Sequence, residues 1–189
     1  MDSRCLLARV FLGVLLMHSC EAARKWDYEP MSLSSTTTDP SKILIKTKID
    51  RIGRGEFAIS ATAMFNYTTT EETMVECLVY RSSSGAEADY KLLPWAIPRQ
   101  TFHEHLNTYY KEVTMRVFKK CSNFPYFEGD FQPPFPKMNY VAEKCALGDD
   151  DRLPEICPPG FYKIVFKCFG KNQPSWSFTA VFRLKPKLF

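Results

Sequence analysis

Along most of the chain, apolar and polar residues alternate with period two. In the stretch 56–66, Phe57, Ile59, Ala61, Ala63 and Phe65 share one face, while Glu56, Ser60, Thr62 and Asn66 share the other. The stretch 175–184 sets Trp176, Phe178, Ala180, Phe182 and Leu184 against Ser175, Ser177, Thr179 and Arg183. Tyr162, Ile164, Phe166 and Cys168 alternate with Lys163 and Lys167, and Gly170 with Lys171–Pro174 supplies a turn joining these two strands. Ile43, Ile45 and Ile49 mark a further strand, as do Val75, Cys77 and Val79. Such alternation belongs to antiparallel sheets with one dry and one wet face. The fold class expected is mainly β: a two-sheet antiparallel sandwich or cup of immunoglobulin-like topology, with one helix.

Two segments break that period. From Phe102 to Phe118, the residues Phe102, Leu106, Tyr109, Val113 and Val117 recur at helical steps. Thr101 and Glu104 form a capping box at its start. His103 and His105, two apart on this helix, cannot face one way and are expected to face solvent, which leaves no metal pair. From Cys121 to Asn139 come four prolines and five aromatic rings, Phe124, Tyr126, Phe127, Phe131 and Phe135. The prolines exclude regular sheet interior. The rings either plug one end of the sandwich or rim an apolar opening, and the pattern allows both. The polar run Ser32–Ser41 is expected to be a surface loop between the first two strands. Asp149–Asp151 lacks the glycine and spaced glutamate of a calcium loop and reads as a solvated turn.

Composition narrows the function. A net charge of +4 with both signs interspersed provides no basic stripe, which disfavours nucleic acid as a partner. Three histidines and the absence of a Gly-x-Ser-x-Gly elbow argue against a hydrolytic enzyme; no catalytic residue, metal or cofactor is expected. Residues 1–22 read as a secretory signal peptide: Arg4 and Arg9, then the apolar run Val10–Met17, then Cys20 and Ala22 before a cut after Ala22. The remainder, 23–189, is expected to be one soluble, exported, extracellular domain. Asn66-Tyr67-Thr68 is then a glycosylation sequon at Asn66. Five cysteines remain after residue 22, an odd number without a Cys-x-x-Cys pair. Closing the short acidic loop between Cys145 and Cys157 is worth about 3 kcal/mol, so these two are expected to pair. A second bridge is expected among Cys77, Cys121 and Cys168.

Cys121–Phe131, where a cysteine and Pro-Tyr-Phe precede Glu-Gly and an aromatic, resembles a segment of the ganglioside-activator protein. Leu153–Gly170 is similar to the late Leu-Pro and Gly-x-Tyr-Lys-Ile strand of the same family. With a signal peptide, short strands, one helix and several cysteines, the chain from about Trp26 to Leu184 resembles the ML lipid-recognition domain. It is also similar to the secreted insect chemosensory proteins of the B family, which are associated with pheromone detection. The resemblance departs at the cysteines. None lies near Trp26–Tyr28 or in the strand of Trp176, where the family often bridges its first and last strands. Cys77 and Cys168 are extra, so no connectivity is carried over.

The resemblance implies a cup with an apolar interior, in which ligand hydrocarbon is buried at about 0.8 kcal/mol per CH2. The inward strand faces supply Phe57, Ile59 and Ala61, then Val75 and Val79, then Ile164, Phe166, Phe178 and Phe182 as candidate walls. Ala61 and Ala63 are small where a filled sandwich would want bulk. Trp95, between Pro94 and Pro98, would line the mouth with Phe124, Phe127 and Phe131. The expected ligand is a lipid or a cuticular-hydrocarbon pheromone, with a receptor or membrane surface as a further partner. A co-receptor or adhesion module that uses the aromatic rim to meet another protein is the alternative.

Overall fold

The computed structural model describes residues 25–146 and 157–187. The expected signal peptide, residues 1–22, and the expected turn at Asp149–Asp151 lie outside them. The described strands are β1 (Trp26–Thr37), β2 (Ile43–Gly53), β3 (Glu56–Phe65), β4 (Met74–Ser82), β5 (Lys91–Leu92), β6 (Ile97–Thr101), β7 (Met138–Cys145), β8 (Gly160–Phe169) and β9 (Trp176–Pro186). They form two antiparallel sheets packed as a β-sandwich. The larger sheet runs β1-β9-β8-β4-β5, with β6 also paired to β4; the smaller runs β2-β3-β7.

Pairing register fixes which side chains share a face, because residues directly opposite one another point the same way. On the inner face of the larger sheet, one row carries Gln100, Val75, Cys168, Trp176 and Thr37. The next carries Ile97, Cys77, Phe166, Phe178 and Ser35, and the third Val79, Ile164, Ala180 and Leu33. The outer face is polar and paired: Lys167 reaches Glu76 directly opposite at 2.8 Å, and Lys163 binds Glu87 while lying over the Tyr90 ring. Along one side the sheets are tied by two hydrogen bonds. The Tyr28 hydroxyl donates to the Phe57 carbonyl (2.9 Å), and the Ser35 hydroxyl to the Ile45 carbonyl (2.8 Å).

Most of the run Ser32–Ser41 is strand and not loop. Ser32–Thr37 pairs residue by residue with Val181–Trp176, and the turn shrinks to the residues after Thr37. Serine and threonine suit an edge strand, where one face is wet and Leu33 alone supplies apolar bulk.

The helix begins at Phe102, with the Thr101 hydroxyl accepting from the Glu104 N–H (3.1 Å), the threonine half of the expected capping box. Its body is not α-helical throughout. Single turns α1 (Phe102–His105) and α2 (Met115–Phe118) flank a π-helical stretch, Leu106–Thr114, closed by the Met115 N–H donating to the Tyr110 carbonyl five residues back. The wider turn moves the buried stripe to Phe102, Leu106, Tyr110 and Met115, and leaves Tyr109 and Val113 exposed. The expected stripe through Tyr109 and Val113 is therefore displaced after Leu106, by one position at Tyr110 and by two at Met115.

The bridge joins Cys121 to Cys145 and not Cys145 to Cys157. Residues 121–123 lie beside β7: Glu143 N–H donates to the Cys121 carbonyl, Asn123 N–H to the Val141 carbonyl, and Ser122 bridges Ala142. That pairing brings the two Cα atoms to 5.5 Å, within disulfide reach. Cys157 packs at the far end of the sandwich, against the cluster of Trp26, Tyr162 and Leu184. Cys77 and Cys168 are free as well, so the expected second bridge is absent among the described residues. Loop length alone was a poor guide because strand pairing determines which thiols meet.

Candidate binding site between the sheets

Two buried clusters seal the ends of the sandwich. The first gathers Ile43 and Phe65 of the smaller sheet and Tyr67 just after it with Val75 and Cys168 from the larger one, under Phe102, Leu106, Tyr110 and Met115 of the helix. Phe131 and Phe135 complete it, with Phe124 and Phe127 packed against them. Ring contacts run continuously through it: Phe65 meets Phe135 at 5.1 Å, Phe135 meets Phe102 at 5.1 Å, and Tyr110 stacks on Phe127 at 6.0 Å. The proline-rich rings are thus a plug for this end. Phe124, Phe127 and Phe131 do not rim an opening.

At the other end Trp26, Tyr162 and Leu184 are buried, with Tyr28, Val79, Leu93, Cys157 and Phe182 against them. Trp95 belongs here: half of it is exposed, and its ring stacks on Tyr162 at 6.4 Å. Trp95 and the plug rings therefore serve opposite ends and share no mouth.

Between the clusters lies a belt of inward side chains that join neither. Ile49, Phe57, Ile59 and Ala61 line it from the smaller sheet, Leu33, Ile164 and Phe178 from the larger, and all are only half-buried. In a closed sandwich the mid-strand residues are the driest. Here the belt residues stay half-buried, although Ala180 and Cys77 on the same inner face are dry. Of the expected wall residues, Phe57, Ile59, Ala61, Ile164 and Phe178 fall in this belt. Val75 and Phe166 border it on the plug side, and Val79 and Phe182 on the other.

Polar groups also reach this space. Contrary to expectation, His105 is buried, 7% exposed, with its ring 5.3 Å from Phe166 on the inner face. Its Nδ1 has no hydrogen-bond partner among the described residues. Desolvation pulls its pKa down to about 4, so the imidazole is neutral at physiological pH. His103 points elsewhere, against Phe131. Gln100, opposite Val75, has a buried Nε2 that also finds no partner there. Burial pushes the Cys77 thiol up to about 11, which keeps it protonated and unreactive. Gln100 and His105 escaped the sequence reading for different reasons. The first sits in a short proline-containing strand, and the second is turned inward by the helical register.

Two clefts lie on the outer faces instead. One is bounded by Lys46, Lys48, Asp50 and Lys144 on the smaller sheet, the other by Tyr80, Glu87, Tyr90 and Lys163 on the larger. The first also touches Thr47 and Ala61, whereas the second touches no belt residue. Among the described residues, no group of three or more histidine, cysteine, aspartate or glutamate side chains is placed to hold a metal, and no helix is long and apolar enough to cross a membrane. Asn66 stands exposed just after β3.

Residues 75–164 match a family profile described as "Protein of unknown function (DUF1091)". The match runs from β4 through the helix, the aromatic plug and β7 into β8, and so takes in the bridge and part of both sheets. No curated protein matches the chain.

Proposed function

We propose that this chain is a secreted binding protein that holds a hydrophobic ligand, a lipid or hydrocarbon, between its two sheets. The half-buried apolar belt between two sealed ends carries this reading. Apolar side chains left partly wet in the middle of a sandwich have unrealised burial energy, which a hydrocarbon chain would recover at about 0.8 kcal/mol per CH2. The similarity of Cys121–Phe131 and Leu153–Gly170 to the ML lipid-recognition domain points the same way, and the likeness to the insect chemosensory proteins suggests a pheromone ligand. The cysteine bridge, the exposed Asn66 sequon and the apolar start of the sequence suit an extracellular role. Holding such a ligand requires no catalytic group or cofactor.

The deciding measurement is mass spectrometry of an organic extract of the protein purified from a eukaryotic secretion host. Stoichiometric co-purifying lipid or hydrocarbon is expected. If no hydrophobic species is found and a fluorescent fatty-acid probe is never taken up, ligand holding fails, and an adhesion or co-receptor role gains.

A further inference from the structure

Two unpartnered polar side chains on the inner face near the helix, Gln100 and His105, are out of place in a pocket meant for plain hydrocarbon; Arg81 Nε, the other such group on that face, lies towards the opposite end beside Tyr162. Both His105 Nδ1 and Gln100 Nε2 are withdrawn from solvent without a partner among the described residues. Buried polar groups are almost always satisfied, so an orphan of this kind calls for a partner. The two groups lie on the same border of the belt. Gln100 faces inward in the row of Val75 and Cys168, and His105 rests on Phe166 in the adjacent row.

The chemistry of the pair is specific. The Gln100 amide nitrogen only donates, while a neutral imidazole nitrogen donates or accepts according to tautomer. Neither carries charge, since desolvation alone holds the imidazole down at about 4. The nearby cations are directed elsewhere: Lys167 is paired with Glu76 on the outer face, and Arg99 lies over Phe169. Beside Gln100 and His105, an ionised head would lose its hydration and meet no opposite charge, since Arg51 and Arg81 lie at the other end of the inner faces, opposite Phe57 and Tyr162. An uncharged oxygen would accept from the amide and complete the imidazole.

We propose that the ligand is a hydrocarbon chain ending in an uncharged oxygen function, an alcohol, ketone or ester, whose oxygen is held by Gln100 and His105 while the chain runs along the belt. This rests on the reading of the belt as a ligand cavity. Gln100 and His105 thus select among hydrophobic molecules, and the apolar walls supply the affinity.

The test is displacement of the fluorescent probe N-phenyl-1-naphthylamine from the purified full-length secreted protein by chain-matched decane, decan-1-ol and decanoate at pH 7.5. Decanol should compete at least tenfold better than decane or decanoate. Gln100→Leu and His105→Phe should each bring decanol down to the level of decane without changing decane itself. Equal competition by decanol and decane in the wild type, with the probe bound, overturns the head-group assignment alone. A decanol advantage that survives in both folded variants overturns it too. Failure of the probe to bind at all removes the cavity reading together with it. Each variant's thermal midpoint confirms folding. If one variant does not fold, the other and the wild-type ratio still decide.

Discussion

The indole N–H of Trp176 donates to the phenol oxygen of Tyr67 across 2.8 Å, joining the larger sheet to the segment that leaves the smaller one. The same oxygen lies 3.6 Å from the Cys168 sulfur, so one hydroxyl serves partners on two strands. Tyr67 is buried, and desolvation raises its pKa far above the ordinary phenol range, which keeps the hydroxyl intact. Tyr67→Phe leaves the indole N–H and the thiol unpaired and should cost about 1–3 kcal/mol. A drop in the urea midpoint of unfolding with an unchanged slope is the expected result.

The π-helical stretch makes a contrasting pair of expectations. Met115 is buried, whereas Val113, two residues earlier, is exposed. Met115→Ala should destabilise by about 2–5 kcal/mol. Val113→Ala should change stability by less than about 0.5 kcal/mol. A regular α-helix running from Phe102 would reverse that ranking, so equilibrium denaturation of the two variants reads the register directly.

The bridge between Cys121 and Cys145 closes a loop with a sequence separation of 24. In the chain-entropy account this is worth about 3.5 kcal/mol. Cys145→Ala should lower stability by about that amount, and Cys157→Ser should leave the bridge intact. Non-reducing peptide mapping should recover the Cys121 and Cys145 peptides as one species. A peptide joining Cys145 to Cys157 would contradict the strand pairing beside β7.

Burial of His105 also sets a pH window. In the unfolded chain its imidazole titrates near about 6.5, and in the folded protein at about 4. Between those values only the unfolded chain takes the proton. Stability is therefore unaffected above pH 7.5 and falls as pH drops from about 6.5 towards 4, by about 3 kcal/mol in all. Below that, carboxylates such as Glu29, held down chiefly by its hydrogen bond from Lys185, begin to be protonated and the loss continues. In His105→Phe the decline between pH 6.5 and 4.5 should flatten. Parallel declines in wild type and variant, followed by urea midpoints across that range, would show that the imidazole is not desolvated.

Two alanines on the inner faces should respond oppositely to added bulk. Ala61 is half-buried in the belt, whereas Ala180 is 3% exposed on the facing sheet. Ala61→Trp should place its ring in open space, keep the thermal midpoint within a few degrees and abolish probe uptake. Ala180→Trp should overpack and cost about 1–3 kcal/mol or more. Equal destabilisation of both would mean that the middle of the sandwich is filled.

Sheet membership was legible because alternation in Phe57–Phe65 and Trp176–Leu184 survives in the register of β3 and β9. The ends of the helix were legible through Thr101 and the period beginning at Phe102. Its inner register was not, since the widening over Leu106–Thr114 leaves no mark in a spacing that fits 3.6 residues equally well. The placement of Trp95 apart from the plug rings was hidden for a different reason. Proline-bounded aromatics declare that they need cover, and only the tertiary arrangement determines which end provides it. The cysteines failed by the same logic, since Cys121 meets Cys145 through a pairing between a helix exit and a strand that neither segment encodes alone.

The half-wet belt bears on calorimetry. The heat-capacity increment of unfolding tracks the apolar area that folding removes from water. A sandwich whose middle strands keep their inner faces partly hydrated begins with a reduced increment for its length, and its stability curve is flatter than that of a fully closed one. Any apolar occupant that dries Phe57, Ile59 and Phe178 transfers that hydration to bulk water. The missing increment then appears as a negative heat capacity of association, and the loaded protein unfolds along a more sharply domed curve than the empty one.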